Sequence, residues 1–170
     1  LTALAPRIYD YNERLGSKKE LSVHYQPDLG LEPGFGLKCA RDHFLQQLAK
    51  NRSREWRRRL TLCGPQRDEI LILLAGQEIR NFGSQGEQRL ATLAWKLAEA
   101  QYIKQRSGHN PILLLDDVYS ELDCQRRHFL TAEIGDCDQA FITTTEPEYN
   151  LPKNTAAVWE VSLGRIDRLH

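Results

Sequence analysis

The chain has 170 residues, 41% of them hydrophobic and 27% charged, and its formal net charge is zero. These are the proportions of an ordinary soluble globular protein, enough for one domain or one domain with part of another. No apolar run approaches the roughly 18 residues of a membrane span, and the opening L-T-A-L-A-P-R has no basic region followed by an apolar core, so neither a span nor a secretory signal is expected.

Charge is unevenly spread. Residues 1–60 carry 12 basic and 7 acidic side chains, and residues 110–170 carry 5 and 11. A basic first third and an acidic last third point to an anionic partner for one end and cations for the other. The four cysteines (39, 63, 124, 137) form no C-x-x-C pair, which favours a reducing cytosol over disulfides or zinc. The chain contains no Met, so it is expected to be a fragment or trimmed domain.

In chain order, Leu4, Ile8, Tyr11 and Leu15 recur at helical spacing, with Gly16 as the C-cap. Leu21–Tyr25 alternates as a short strand, and Pro27, Gly30, Pro33, Gly34 and Gly36 mark a loop. From Leu37 to about Arg59 the pattern is helical, with Phe44, Leu45, Leu48 and Trp56 on its apolar side. The same helix carries Lys38, Arg41, Lys50, Arg52, Arg54, Arg57, Arg58 and Arg59 against only Asp42 and Glu55. Such a helix can lay cations along a nucleic-acid backbone. It equally suits a solvated basic face or half of a charged helical hairpin, because no aromatic platform is interleaved with the arginines.

Strands are expected at Leu60–Cys63 and Ile70–Leu74, and a hairpin turn at Gly76-Gln77 leads into a further strand over Glu78–Phe82. Gly83–Arg89 then opens a long helix to about Gln105, with Leu90, Leu93, Ala94 and Leu97 on its apolar face. Ile112–Leu115 is apolar at every position, as in a strand buried on both faces of a parallel sheet, and it ends in Asp116 and Asp117. Arg126–Ile134 is predicted to be helical. Ala140–Thr144 is expected to be a third buried strand, and Val158–Leu163 a final alternating one.

Two stretches carry chemistry. Ligands of parallel sheets bind at the carboxyl ends of the strands, where Asp116 and Asp117 emerge. One carboxylate there can hold Mg²⁺ on a nucleotide while its neighbour polarises an attacking water. An acidic turn capping the next helix would look the same. Ser84–Glu87 reads as a capping box, S-x-x-E. Gly83 and Gly86 strip side chains from the same turn and leave its N–H groups open at a positive helix end, which a cap does not need and a phosphate site does.

Together these residues resemble the signature-containing half of an ABC-type ATPase head, specifically that of the RecF family. The family's S-Q-G-Q-Q-R is similar to S-Q-G-E-Q-R (Ser84–Arg89), and its K-L-A-E matches Lys96–Glu99. P-I-L-L-L-D-D-V-x-S-E-L-D matches Pro111–Asp123, G-P-H-R-D-D resembles Gly64–Glu69, and F-I-T-T-T is Phe141–Thr145. The likeness is dense over residues 60–145. It implies an α/β fold with a mainly parallel sheet and flanking helices, in which residues 60–170 form the head and residues 1–59 the returning part of a helical arm.

The resemblance also implies roles. Asp116 would be the Walker B carboxylate that holds Mg²⁺ through water, and Asp117 the water-activating carboxylate. Ser84, Gln85, Gly86 and Gln88 would close on the γ-phosphate of ATP held by another subunit. Ser120–Asp123 would form the D-loop, with Asp123 at the nucleotide interface. Thr144 stands at the switch position, so imidazole sensing of the γ-phosphate is absent. Arg52, Arg54, Arg57, Arg58 and Arg59 would contact DNA. Glu87 puts a negative charge beside a phosphate contact. No G-x-x-x-x-G-K-[ST] occurs, so these residues lack the main phosphate cradle and should be inactive alone.

The implied protein is a slow, cytoplasmic ATPase of recombinational and SOS-linked repair. It would dimerise on ATP·Mg²⁺, clamp gapped DNA or single-/double-strand junctions, and work with recombination-mediator proteins to load recombinase. An SMC- or RecN-like head, or a scaffold without ATPase activity, are the alternatives. Element lengths favour a dimer independently. A helix over residues 86–105 would be about 30 Å long and the returning strand about 17 Å, leaving Ser84 and Asp116 roughly 13 Å apart along that axis.

Overall fold

The helical spacing of Leu4, Ile8, Tyr11 and Leu15 becomes helix α1, Ala5–Arg14, with Pro6 in its first turn where a missing N–H costs nothing. In the computed structural model, residues 1–31, 34, 36–120, 122–145 and 157–169 are described. Pro33 of the expected loop and Glu121 of the expected D-loop lie outside them. Ile8, Tyr11 and Leu15 are buried, and Gly16, at φ 80°, ends the helix by donating its N–H to Glu13 O at 2.8 Å. The buried Asn12 is satisfied by donating Nδ2 to Lys19 O at 3.1 Å, which fixes the loop that follows.

The chain divides into two compact units, Leu1–Tyr102 and Ile103–His170. In the first, β1 (Leu21–Gln26) pairs antiparallel with β2 (Glu69–Leu74), from Leu21 opposite Leu74 to Gln26 opposite Glu69. This pairing joins residues on both sides of position 59/60. β3 (Gln77–Glu78) returns along β2 through a turn at Ala75 and Gly76, both left-handed as a tight hairpin requires. The expected strand over Glu78–Phe82 stops there. Ile79–Phe82 instead forms a single helical turn, α3, which buries Ile79.

Helix α2 covers Leu37–Arg58 and buries no residue. Phe44 and Leu48 are half-buried, whereas Leu45 and Trp56 are exposed, so the expected apolar side is only partly covered. The strand expected at Leu60–Cys63 is absent. Arg59 turns left-handed at φ 51°, and Leu62 N–H goes to the Glu55 carboxylate at 2.7 Å rather than to a neighbouring strand. The G-P-Q-R-D stretch is structural here. Pro65–Arg67 makes one 3₁₀ turn, and Asp68 accepts from Asp28 N–H (2.9 Å) and from the Tyr25 hydroxyl, tying the loop after β1 to the start of β2.

Helix α4 runs over Gln85–Ser107, with Ala91, Leu93, Ala94, Leu97 and Ala98 on its buried face. In the second unit, β4 (Leu113–Asp116) pairs in parallel with β5 (Ala140–Thr143), Leu113 opposite Ala140 and Asp116 opposite Thr143. Helix α5 (Cys124–Gly135) connects them, as parallel pairing demands. Its Leu130 and the preceding Tyr119 are almost fully buried, and the Tyr119 hydroxyl bonds Thr131 Oγ1 at 3.0 Å.

Neither β4 nor β5 is buried on both faces as expected. Leu113 is buried, but Ile112, Leu114 and Phe141 are exposed, and each strand has a single hydrogen-bonded neighbour among the described residues. The α/β class holds, while the expectation of a mainly parallel sheet is narrowed: among the described residues, parallel pairing is confined to β4 and β5. The final expected strand is β6 (Trp159–Ser162). It forms an exposed hairpin with β7 (Arg165–Arg168), which the sequence reading did not anticipate.

Candidate functional site

Two groups of residues carry the candidate chemistry, one in each unit. In the second unit, β4 delivers Asp116 as its last residue, and the chain turns at Asp117 through a left-handed conformation, φ 47°. Asp tolerates that region better than most residues, but it is still costly, so it persists only where surrounding bonds fix it. Here they do. Asp117 N–H is shared between Thr143 O (3.1 Å) and Thr143 Oγ1 (3.0 Å), and Ser120 Oγ donates to Asp117 O (2.9 Å) and Oδ2 (3.0 Å).

Thr143 completes the arrangement by donating its hydroxyl to Asp116 Oδ1. One hydroxyl thus gives to the first carboxylate and accepts from the backbone of the second, which uses both of its capacities. Both carboxylates are exposed, and among the described residues neither forms an ion pair with a cationic side chain. Two adjacent, oriented and uncompensated carboxylates at the end of a parallel strand suit a hydrated cation. Among the described residues no group of three or more His, Cys, Asp or Glu could hold a metal. Mg²⁺ keeps several waters and takes one or two carboxylates together with substrate phosphates.

In the first unit, the Ser84–Glu87 capping box forms as expected. Ser84 N–H and Oγ each donate to Glu87 Oε2 at 2.9 Å, and Glu87 N–H returns to Ser84 Oγ at 3.3 Å. The other carboxylate oxygen, Oε1, meets Lys19 Nζ at 2.6 Å. The Lys19 ammonium, then the Ser84 N–H and hydroxyl, hold the Glu87 carboxyl at a pKa of about 2, down from 4.5. Gln88 points back and donates Nε2 towards Ile79 O (3.2 Å), Arg80 O (3.4 Å) and Gly83 O (3.1 Å), satisfying the carbonyl end of α3. Gln88 is therefore occupied structurally.

The two glycines of the turn differ. A Cβ on Gly83 would lie 2.6 Å from both Ile79 O and Ile79 Cγ1, so Gly83 is explained by close packing and is no sign of a ligand. A Cβ on Gly86 would meet nothing within 4 Å. Ser84, Gln85 and Gly86 are exposed.

The remaining candidates scatter. Asp123 caps α5, accepting from Arg126 N–H and pairing with its guanidinium, both at 2.9 Å. Thr144 is exposed one residue beyond β5. Arg52, Arg54, Arg57, Arg58 and Arg59 are all exposed, and Trp56 stands among them at 85% exposure, an aromatic at the place where none was expected to be available. Sequence reasoning missed Thr143 and Lys19. The parallel register that puts Thr143 opposite Asp116 was the only signal for the first, and nothing local marked the second.

No protein-family model matches the chain. Over 153 residues it is 40% identical to the DNA replication and repair protein RecF of Alkaliphilus oremlandii, a match covering 89% of this chain and 42% of that protein. In fold it is similar to the recombination mediator protein RecF bound to ATP, with a TM-score of 0.79 at 25% identity across 99% of this chain and 44% of that one. The chain belongs to the RecF family. It spans about two-fifths of the length of the RecF proteins it matches. An SMC head bound to the C-terminal winged-helix domain of ScpA shares the fold alone, at TM-score 0.54 and 17% identity over 99% of this chain and 42% of that one. The RecF likeness thus extends over nearly the whole chain, including residues 1–59, which lie outside the stretch where the motifs are dense.

Two outcomes are expected. Gly83→Ala should destabilise the chain by about 1–3 kcal/mol through the Ile79 clash, whereas Gly86→Ala should be neutral or up to about 1 kcal/mol stabilising; thermal and urea denaturation measure both. The Glu87 carboxyl titrates lower when folded than its ordinary 4.5, so the unfolded chain binds more protons in acid. The stability difference between the chain and its Glu87→Gln variant should be constant above pH 4.5 and shrink as pH falls towards 2, read from denaturation across that range.

Proposed function

We propose that this chain is the signature- and Walker B-bearing part of an ATP-dependent DNA-binding protein of recombinational repair. It would dimerise on ATP at gapped or single-/double-strand DNA junctions and help mediator proteins load recombinase there. The observation that carries this reading is the pair of exposed carboxylates at the end of β4, fixed by Thr143 and free of cationic partners among the described residues. The RecF–ATP structure that the chain resembles supports ATP as the nucleotide.

In this reading Asp116 would hold Mg²⁺ through water beside the nucleotide phosphates, where the ion would supply charge neutralisation for phosphoryl transfer. Asp117 accepts a proton from the attacking water, and its left-handed turn and the Ser120 bond set the direction of its carboxylate. Thr144 lies at the γ-phosphate end of β5 but offers a hydroxyl where an imidazole would sense charge. Ser84, Gln85 and Gly86, at the positive end of α4, act on ATP held by a second copy of the full-length protein. Gln88 and Asp123 contribute by holding the signature turn and the α5 cap in shape. Hydrolysis opens the dimer and acts as a slow timer.

The exposed arginines of α2, with Trp56 among them, supply cations and a stacking face for DNA. Because β1 is tied to β2, α2 is the part of residues 1–59 that we assign to the arm, and α1 and β1 join residues 60–170 in the head. All four cysteines are free, and no helix among the described residues is long and apolar enough to cross a membrane, both compatible with a cytoplasmic protein.

In the full-length protein, Asp117→Asn should slow ATP turnover by about a hundredfold or more and leave an ATP-bound dimer that persists. Sedimentation with ATP and Mg²⁺ checks this, and a variant that stays monomeric would remove Asp117 from its role.

A further inference from the structure

The signature turn contains a charge problem. Glu87 lies in the first turn of α4, where a positive helix end favours a carboxylate but where, in the reading above, a phosphate must also approach Ser84 and Gly86. The carboxylate repels that phosphate. It also competes for the Ser84 hydroxyl and N–H, both of which donate to Glu87 Oε2.

Lys19 comes from the loop between α1 and β1, 68 positions away in sequence, and places Nζ 2.6 Å from Glu87 Oε1. Its backbone is held independently of that contact. Lys19 O accepts from the buried Asn12 side chain (3.1 Å) and from Ser17 Oγ (3.3 Å), Lys19 N–H faces Ser17 Oγ at 3.4 Å, and Glu20 O accepts from Ala75 N–H (2.8 Å). A solvent-facing ion pair adds little to stability, and the two side chains here are 57% and 29% exposed. Such anchoring is more than a surface contact needs. It makes sense if the position of the ammonium matters for something besides folding.

We propose that Lys19 is a positioning residue of the signature turn: it neutralises Glu87 and holds its carboxylate on Oε1, so that the Ser84 hydroxyl and the N–H groups of the turn can pass to the phosphate of a nucleotide on the opposing copy. The proposal rests on the ATP-sandwiched dimer of the preceding section. When Ser84 Oγ turns from Glu87 Oε2 to a phosphate oxygen, the carboxylate keeps a charged partner and is not left facing an anion unpaired. Without Lys19, closing the dimer would bring phosphate towards a bare carboxylate at two symmetric sites.

The test is a double-mutant cycle on the full-length protein, with ATP·Mg²⁺-dependent self-association measured by sedimentation equilibrium. Lys19→Ala should weaken that association by about fivefold or more, and Lys19→Arg should retain most of it. Adding Glu87→Gln to Lys19→Ala should return the association to within about twofold, because the charge needing a partner has gone. Any loss of thermal stability in Lys19→Ala without nucleotide should remain in the double variant while its association recovers, whereas a purely structural role for Lys19 would move the two together. Unchanged association in Lys19→Ala, or no rescue in the double variant, overturns the proposal while leaving the dimer reading intact. An unsubstituted protein that stays monomeric with ATP overturns both.

Discussion

Two acidic residues in succession at a strand end face a geometric constraint. In an extended strand, neighbouring side chains leave opposite faces, so Asp116 and Asp117 could not serve one ligand without a change of backbone. The chain solves this at Asp117 by turning left-handed, at a cost of order 1 kcal/mol, which the shared N–H bond to Thr143 and the Ser120 bonds offset. Thr143 is available because β5 lies parallel to β4 with Thr143 directly opposite Asp116. The parallel register thus decides the orientation of both acids, and the α5 connection exists to make that register possible.

The signature turn obeys a similar logic with different parts. Its capping box satisfies the helix start, Gln88 satisfies the end of α3, and Gly83 leaves room for the Ile79 side chain and carbonyl. What remains outward is Ser84, Gln85 and the open side of Gly86. Most of the turn's polar chemistry is therefore spent on its own shape. The functional reading rests on the few groups that are left.

Much of this was legible in the sequence because it is local. Helical periodicity gave α1, α2 and α4, alternation gave β1, and the S-x-x-E spacing gave the capping box. The errors also share a cause. Leu60–Cys63 and Glu78–Phe82 have strand-forming residues, but Leu62 N–H is taken by the Glu55 carboxylate and Ile79 O by Gln88 Nε2, bonds that a strand pattern does not record. Ile112–Leu115 reads as a strand covered on both faces, whereas here one face stays open, because covering it needs neighbours beyond the single strand β5. Thr143 and Lys19 each act across a long sequence separation, so only the folded register or loop anchor exposes them.

The central claim is that the acids at the end of β4 and the signature turn of α4 work on one nucleotide from two different copies of the protein. Mixing two inactive full-length variants, Ser84→Arg and Asp117→Asn, tests this without any structural assumption. Hybrid dimers then contain one composite site with both an intact signature and an intact carboxylate pair. The account predicts that equimolar mixing restores up to about a quarter of the unsubstituted ATPase activity, since roughly half the dimers are hybrids with one working site of two. Activity that stays at the level of the separate variants, although the hybrids form, would mean that both parts serve ATP within one copy and would contradict it.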